Sequence, residues 1–188
     1  MSTAIFAVSL ASISVIVVLG LASVLREGWR FWPPPSRSSA PYHLFWWSFR
    51  VYFVGLILLS VADFARLEEG TSWWRLGLGI PLLLSGFGLA IYGTGQLGWE
   101  NAHGVQEGLK TDGMYRWSRN PIYVVTIPGL LGLGLLVHSL RLYALLAIWA
   151  VLYFAAPFLE EPWLEERYGE AYRDYRRRVP RFLGWPRR

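Results

Sequence analysis

The sequence predicts an all-α, polytopic membrane protein with five transmembrane helices followed by a carboxy-terminal amphipathic helix. Three observations carry this. The chain contains five long apolar runs almost free of charge; 54% of its 188 residues are hydrophobic and 16% aromatic, above the roughly 45–50% apolar share of globular domains; and its basic residues cluster beside those runs rather than along a nucleic-acid-binding face. The 11 tryptophans suit membrane interfaces, where an indole ring is apolar over its body and polar at its N–H. With no cysteine, the chain can form no disulfide, thiolate metal site or cysteine nucleophile.

The first span covers residues 4–25, which carry no charge and exceed the ~20 residues a helix needs to cross the hydrocarbon core. Met1 to Ala4 has no basic n-region and the run is longer than the ~7–15 residues of a signal-peptide core, so it is expected to stay as a span. The second, 44–62, is interrupted only by Arg50, close enough to one end for its guanidinium to reach the interface. Pro33, Pro34 and Pro35 form a stiff connector between the two. The third, 76–97, contains Pro81 and the glycines Gly86, Gly88, Gly93 and Gly95, which allow a neighbouring helix to approach closely. Spans 122–137 and 142–159 are separated only by His138 to Arg141, which predicts an antiparallel hairpin packed through Gly129, Gly132 and Gly134 and moving as a unit. No repeat divides the chain, so residues 1–188 read as one membrane domain.

With the amino terminus outside, Arg26, Arg30, Arg37, Lys110, Arg116, Arg119 and the arginine-rich tail face the cytoplasm, leaving Arg66, Arg75 and Arg141 opposite. This bias predicts a multi-pass membrane protein with its two long polar segments, 98–120 and 160–188, together on the cytoplasmic side.

Two segments need a chemical explanation. LKTDGMYRWSRNPIY, from Leu109 to Tyr123, has an Asp112–Gly113 turn, and its Pro121 pre-sets the next helix, putting Arg119 and Asn120 where a helix dipole favours an anionic group. Positive-inside arginines and an aromatic belt of Tyr115, Trp117 and Tyr123 are the structural reading of the same residues. EEPWLEERYGEAYRDYRRRVPRFL, from Glu160 to Leu183, suggests a new helix starting at Pro162, with Glu160 and Glu161 at the membrane boundary. Leu164, Tyr168, Ala171, Tyr172, Tyr175 and Val179 then share one helical stripe, and Arg176, Arg177 and Arg178 face lipid headgroups. His43, His103 and His138 have no carboxylate at a pairing distance in sequence and read as interface residues.

Together the GMYRWSRNPIY and EEPWLEERYGEAYRDYRRRVPRFL segments resemble the isoprenylcysteine carboxyl methyltransferase family, with its bacterial members and the related phospholipid methyltransferases. The likeness covers roughly 93–183, with Asn120 where the commoner form of the first motif has histidine. It implies a membrane enzyme transferring a methyl group from S-adenosylmethionine, bound inside the membrane domain without a Rossmann fold, to a lipophilic acceptor: an isoprenylcysteine-like carboxylate, a lipid or a thiol. On that likeness, Tyr115, Arg119, Asn120, Tyr123 and Glu160 are expected to hold the cofactor. Glu161 is expected at the reacting end, and Arg167 to orient an anionic acceptor. Arg167 pairing with Glu160 or Glu170 to settle the helix is the competing reading. No metal and no nucleic acid is implied, and membrane lipids surround the protein. A non-catalytic scaffold or sensor, or a nicotinamide-dependent membrane reductase with a similar Arg-His-x-x-Tyr ending, are the alternatives.

Overall fold

Apolar runs in a hydrocarbon medium can satisfy their own N–H and C=O groups only by coiling. A computed structural model, which describes residues 1–26, 29–65, 72–98, 101 and 108–185, shows each run as a helix. These are α1 (Ser2–Leu25), α2 (Ala40–Phe64), α3 (Trp73–Leu97), α4 (Pro121–Val137) and α5 (Leu140–Tyr168), followed by a short α6 (Glu170–Arg178). A single 3-10 turn, Gly113–Arg116, precedes α4, and no strand occurs among the described residues. By length and composition α1, α2, α3 and α5 can each cross a membrane. α4 is equally apolar but has 17 residues, about 26 Å at 1.5 Å per residue against a ~30 Å core. Large apolar side chains such as Val61, Ile91 and Val151 point outward, as a hydrocarbon surround requires.

The core lies between α1, α2 and α5, where Ile13, Ile16, Tyr52, Leu56, Leu59, Leu142, Leu145 and Trp149 are buried together. Tyr52 places its hydroxyl 3.2 Å from the Leu145 carbonyl, so a phenol deep in the bundle keeps an acceptor.

The glycines pack differently from the sequence reading. Gly129 and Gly132 face α3, not α5: a Cβ on Gly86 would run into the Gly129 backbone, and one on Gly132 into the backbone of Leu83 and Gly79. Only Gly134 meets α5, at Tyr143 and Leu146, while Gly88 and Gly95 face open space. The close pair is therefore α3 with α4, held by dispersion between backbones that side chains would separate. The α4–α5 link is shorter than expected, with only His138, in the left-handed region at φ 52°, and Ser139 outside the helices.

That link lies at the far end of the bundle from the polar segments. Ser139 donates to Asp63 at 2.5 Å, Arg141 reaches the same carboxylate at 3.4 Å, and Arg75 Nε donates to the Leu135 carbonyl at 2.8 Å, closing the last turn of α4. His43 and His138 are exposed, and His103 lies outside the described residues.

A second difference concerns Pro162. No new helix starts there: α5 runs unbroken through Pro157 and Pro162 to Tyr168. An interior proline forfeits one backbone bond, a cost of about 3 kcal/mol. The side-chain contacts of Glu160 and Glu161, on either face of the same turn, hold that turn helical. The break comes instead at Gly169, whose φ of 55° a side-chain-bearing residue rarely adopts. The stripe read from Leu164 onward survives the break except at Ala171, which is exposed: Tyr115, Tyr172, Tyr175 and Val179 are buried together with Leu164 and Tyr168 against them. It therefore packs on protein.

Candidate active site

The two polar segments meet at one end of the bundle. Gly113, at φ 56°, turns the chain so that Met114 N–H donates to Gln96 Oε1 at 2.9 Å, fixing the 3-10 turn on the end of α3. The next residues are clamped by the tail. Tyr175 donates its hydroxyl to the Tyr115 carbonyl at 2.7 Å, Arg119 N–H donates to the Pro180 carbonyl at 2.9 Å, and Asn120 Nδ2 donates to the Arg181 carbonyl at 3.0 Å. Asn120 precedes α4 but does not cap it with its side chain. Its backbone N–H is satisfied instead by Ser118 Oγ at 3.0 Å. Residues 179–181 thus run beside 118–120 and fix their backbone.

This clamp sets the electrostatics. Glu161 is 5% exposed and receives a forked pair of bonds from Arg181, Nε at 2.9 Å and Nη2 at 2.7 Å. Arg119 Nη2 approaches the same carboxylate at 3.2 Å. Two guanidinium groups therefore share one carboxylate, a surplus of one positive charge, and the Arg119 side chain is only 8% exposed. Its Nε and Nη1 are buried without a hydrogen-bond partner among the described residues. Donors left unsatisfied on a buried cation are costly unless an anionic acceptor meets them. The bonds to Glu161 raise the Arg181 pKa above its ordinary value, so this cation persists throughout the working pH range.

Glu160, one residue earlier, faces the other way. Its Oε1 accepts from Trp32 Nε1 at 2.5 Å and from the Tyr123 hydroxyl. Both donors meet the same oxygen, so Oε2 has no donor among the described residues. The flanking rings are themselves held, Trp32 on Phe45 with centroids 4.1 Å apart and Tyr123 beside Tyr153 at 4.7 Å.

These groups line one cavity of about 460 Å³, within the ~300–1,000 Å³ typical of small-molecule sites. At one end are Tyr115, Arg119, Asn120, Tyr123 and Glu160, while Ile13, Ile16, Phe45, Phe49 and Trp149 line an apolar arm inside the bundle. No histidine is among its described lining residues. Burial pushes the Tyr115 and Tyr175 phenols well above their ordinary pKa, and Tyr172 up to about 12 through burial and then the Glu161 charge. These phenols are donors at neutral pH and not bases. The arrangement places a guanidinium and a carboxylate on one cavity beside apolar side chains, which suits a ligand carrying both charges and an apolar partner.

Of the residues singled out from the sequence, the structure brings Tyr115, Arg119, Asn120, Tyr123 and Glu160 to this cavity. Glu161 is not among the lining residues; it is engaged by the two arginines behind them. Arg167 is exposed, lies outside the lining and forms no ion pair among the described residues; Glu170 pairs instead with Arg173 and Arg177. Three participants were not singled out: Trp32, Tyr153 and Arg181. The run of aromatics from Trp29 to Trp32 could have flagged the first; for Arg181, within an arginine-rich tail, no sequence signal separates it from its neighbours.

The family model for phospholipid methyltransferase matches residues 74–171. The chain is similar to a nickel-cobalt-cadmium resistance protein, NccN, of Alcaligenes xylosoxydans xylosoxydans, at 38% identity over 75 residues, which is 40% of this chain and 35% of that protein. It is also similar to a cobalt-zinc-cadmium resistance protein, CzcN, of Cupriavidus metallidurans, at 38% identity over 76 residues and the same two shares. The chain thus spans about a third of the length of these relatives. No solved structure matches it.

Proposed function

The chain belongs to the phospholipid methyltransferase family, and on that premise we propose that it transfers a methyl group from S-adenosylmethionine to a lipophilic acceptor inside the membrane. The observation that carries this reading is one cavity lined by both Arg119 and Glu160, a guanidinium whose Nε and Nη1 have no hydrogen-bond partner among the described residues and a carboxylate whose Oε2 has no donor among them. An amino-acid zwitterion needs that pair, one group for its carboxylate and one for its ammonium. The Arg119 guanidinium fits the first and the Glu160 carboxylate the second, while Trp32, Tyr123 and Tyr153 supply ring faces for an aromatic or cationic portion.

S-adenosylmethionine, when bound, supplies a methyl group already activated on a sulfonium. What remains for the chain is to hold donor and nucleophile in line at about 3–3.5 Å and to exclude water. The apolar arm, lined by Phe45, Phe49 and Trp149, serves the second task and receives the acceptor's hydrocarbon. A carboxylate or thiolate acceptor, already deprotonated or nearly so, suits a cavity with no histidine among its described lining residues better than an amine does. In this reading α4 crosses the membrane as a fifth span, the amino terminus is outside, and the charged end faces the cytoplasm in accord with the arginine bias.

The test supplies purified protein with methyl-labelled donor and a membrane lipid extract, then examines the organic phase by mass spectrometry. Labelled lipophilic product, absent when Arg119 is replaced by alanine, is the expected result. No label transfer to any extracted species, with a stable folded protein, favours a non-catalytic role, and turnover dependent on a reduced nicotinamide cofactor favours the reductase.

A further inference from the structure

The family match begins at residue 74, yet one of the two donors to Glu160 comes from residue 32, a sequence separation of 128 residues. We propose that Trp32 is a positioning residue for the cofactor site: its indole N–H holds one oxygen of Glu160 and so turns the other toward the cavity. This rests on the methyltransferase reading above, in which that second oxygen meets the cofactor's ammonium.

The geometry carries the assignment in three steps. A glutamate side chain has three rotatable bonds, and fixing it costs entropy that must be offset before a ligand arrives. Trp32 Nε1 at 2.5 Å and the Tyr123 hydroxyl both act on Oε1, so the carboxylate is oriented while Oε2 has no donor among the described residues. The indole itself is immobilised from behind, stacked on Phe45 at 4.1 Å and 28°, and its neighbour Phe31 is 1% exposed. A donor held this rigidly transmits its position to its acceptor. Trp32 thereby links the connector between α1 and α2, outside the matched segment, to the glutamate on α5.

Replacing Trp32 by phenylalanine keeps a ring on Phe45 and removes the N–H; replacing it by benzothienylalanine changes little but that N–H, and guards against a folding effect. The readout is calorimetric binding of two probes to the full chain in detergent. S-adenosylhomocysteine carries the amino-acid end; 5′-methylthioadenosine keeps the nucleoside and lacks that end. Both substitutions are expected to weaken S-adenosylhomocysteine about tenfold and to change 5′-methylthioadenosine by less than twofold. Equal losses for both probes make Trp32 a wall of the cavity only, and no loss for either removes it from the site; each overturns the proposal while leaving the methyltransferase reading in place. Failure of the unsubstituted chain to bind S-adenosylhomocysteine overturns that reading and this one with it.

Discussion

Arg119→Ala is expected to weaken S-adenosylhomocysteine binding by at least about a hundredfold and to abolish methyl transfer. Hydrogen bonds to charged groups contribute roughly 1.5–3 kcal/mol each, and the substitution removes the two donors, Nε and Nη1, that the folded chain leaves unpaired. The fold should survive, because Glu161 keeps its forked bonds to Arg181 at 2.9 and 2.7 Å. Arg119→Lys should recover little. An ammonium is a compact point charge on a flexible stem and cannot hold Glu161 with one nitrogen while keeping further donors in the fixed plane of a guanidinium. Binding by calorimetry alongside a melting curve checks this, and unchanged affinity in the alanine variant contradicts the assignment.

Glu161→Gln is expected to act on stability first. The substitution leaves Arg119 and Arg181 facing each other without a carboxylate between them, at side-chain exposures of 8% and 33%. Breaking a buried ion pair from one side costs about 3–5 kcal/mol, and the partly exposed Arg181 is screened by solvent, which favours the lower end at about 3 kcal/mol. The tail is pinned through Arg181, so trypsin should cut at Arg176, Arg177 and Arg178 faster than in the unsubstituted chain. If Glu161 instead acts on the reacting groups, as the resemblance of its motif implies, turnover falls while melting temperature and tryptic cleavage stay as they were. Measuring all three separates a residue that positions Arg119 from one that touches substrate.

The apolar runs were legible because a missing charge over about twenty residues is a local signal; each appears as a helix, the first four within a few residues of the expected bounds and the last running on from the expected Leu159 to Tyr168. Who packs on whom was not. Gly129 and Gly132 adjoin α5 in sequence but face α3, since glycine spacing marks a helix face without naming its partner. The break expected at Pro162 falls at Gly169, because proline's cost inside a helix is moderate and the contacts of Glu160 and Glu161 on that turn outweigh it. At the site, Tyr115, Arg119, Asn120, Tyr123 and Glu160 could be singled out because they lie in two short motifs. Arg181 could not, lying in a basic tail, and the aromatic run that holds Trp32, one of 11 tryptophans, marks a cluster without naming the glutamate that folding brings to it. Asn120 sits where a histidine is commoner in the resembling family, and in this chain its amide fastens the tail through the Arg181 carbonyl.

The central claim is that the two polar motifs hold a single S-adenosylmethionine from opposite charges. Calorimetric titration of the purified full chain with S-adenosylhomocysteine tests it most directly, run beside Arg119→Ala from the first motif and Glu160→Gln from the second. The expected result is one site per chain that each substitution alone removes, while Arg177→Ala, on the exposed face of α6, binds as the unsubstituted chain does. An unsubstituted chain that binds nothing, or two site variants that bind with its affinity, contradicts it.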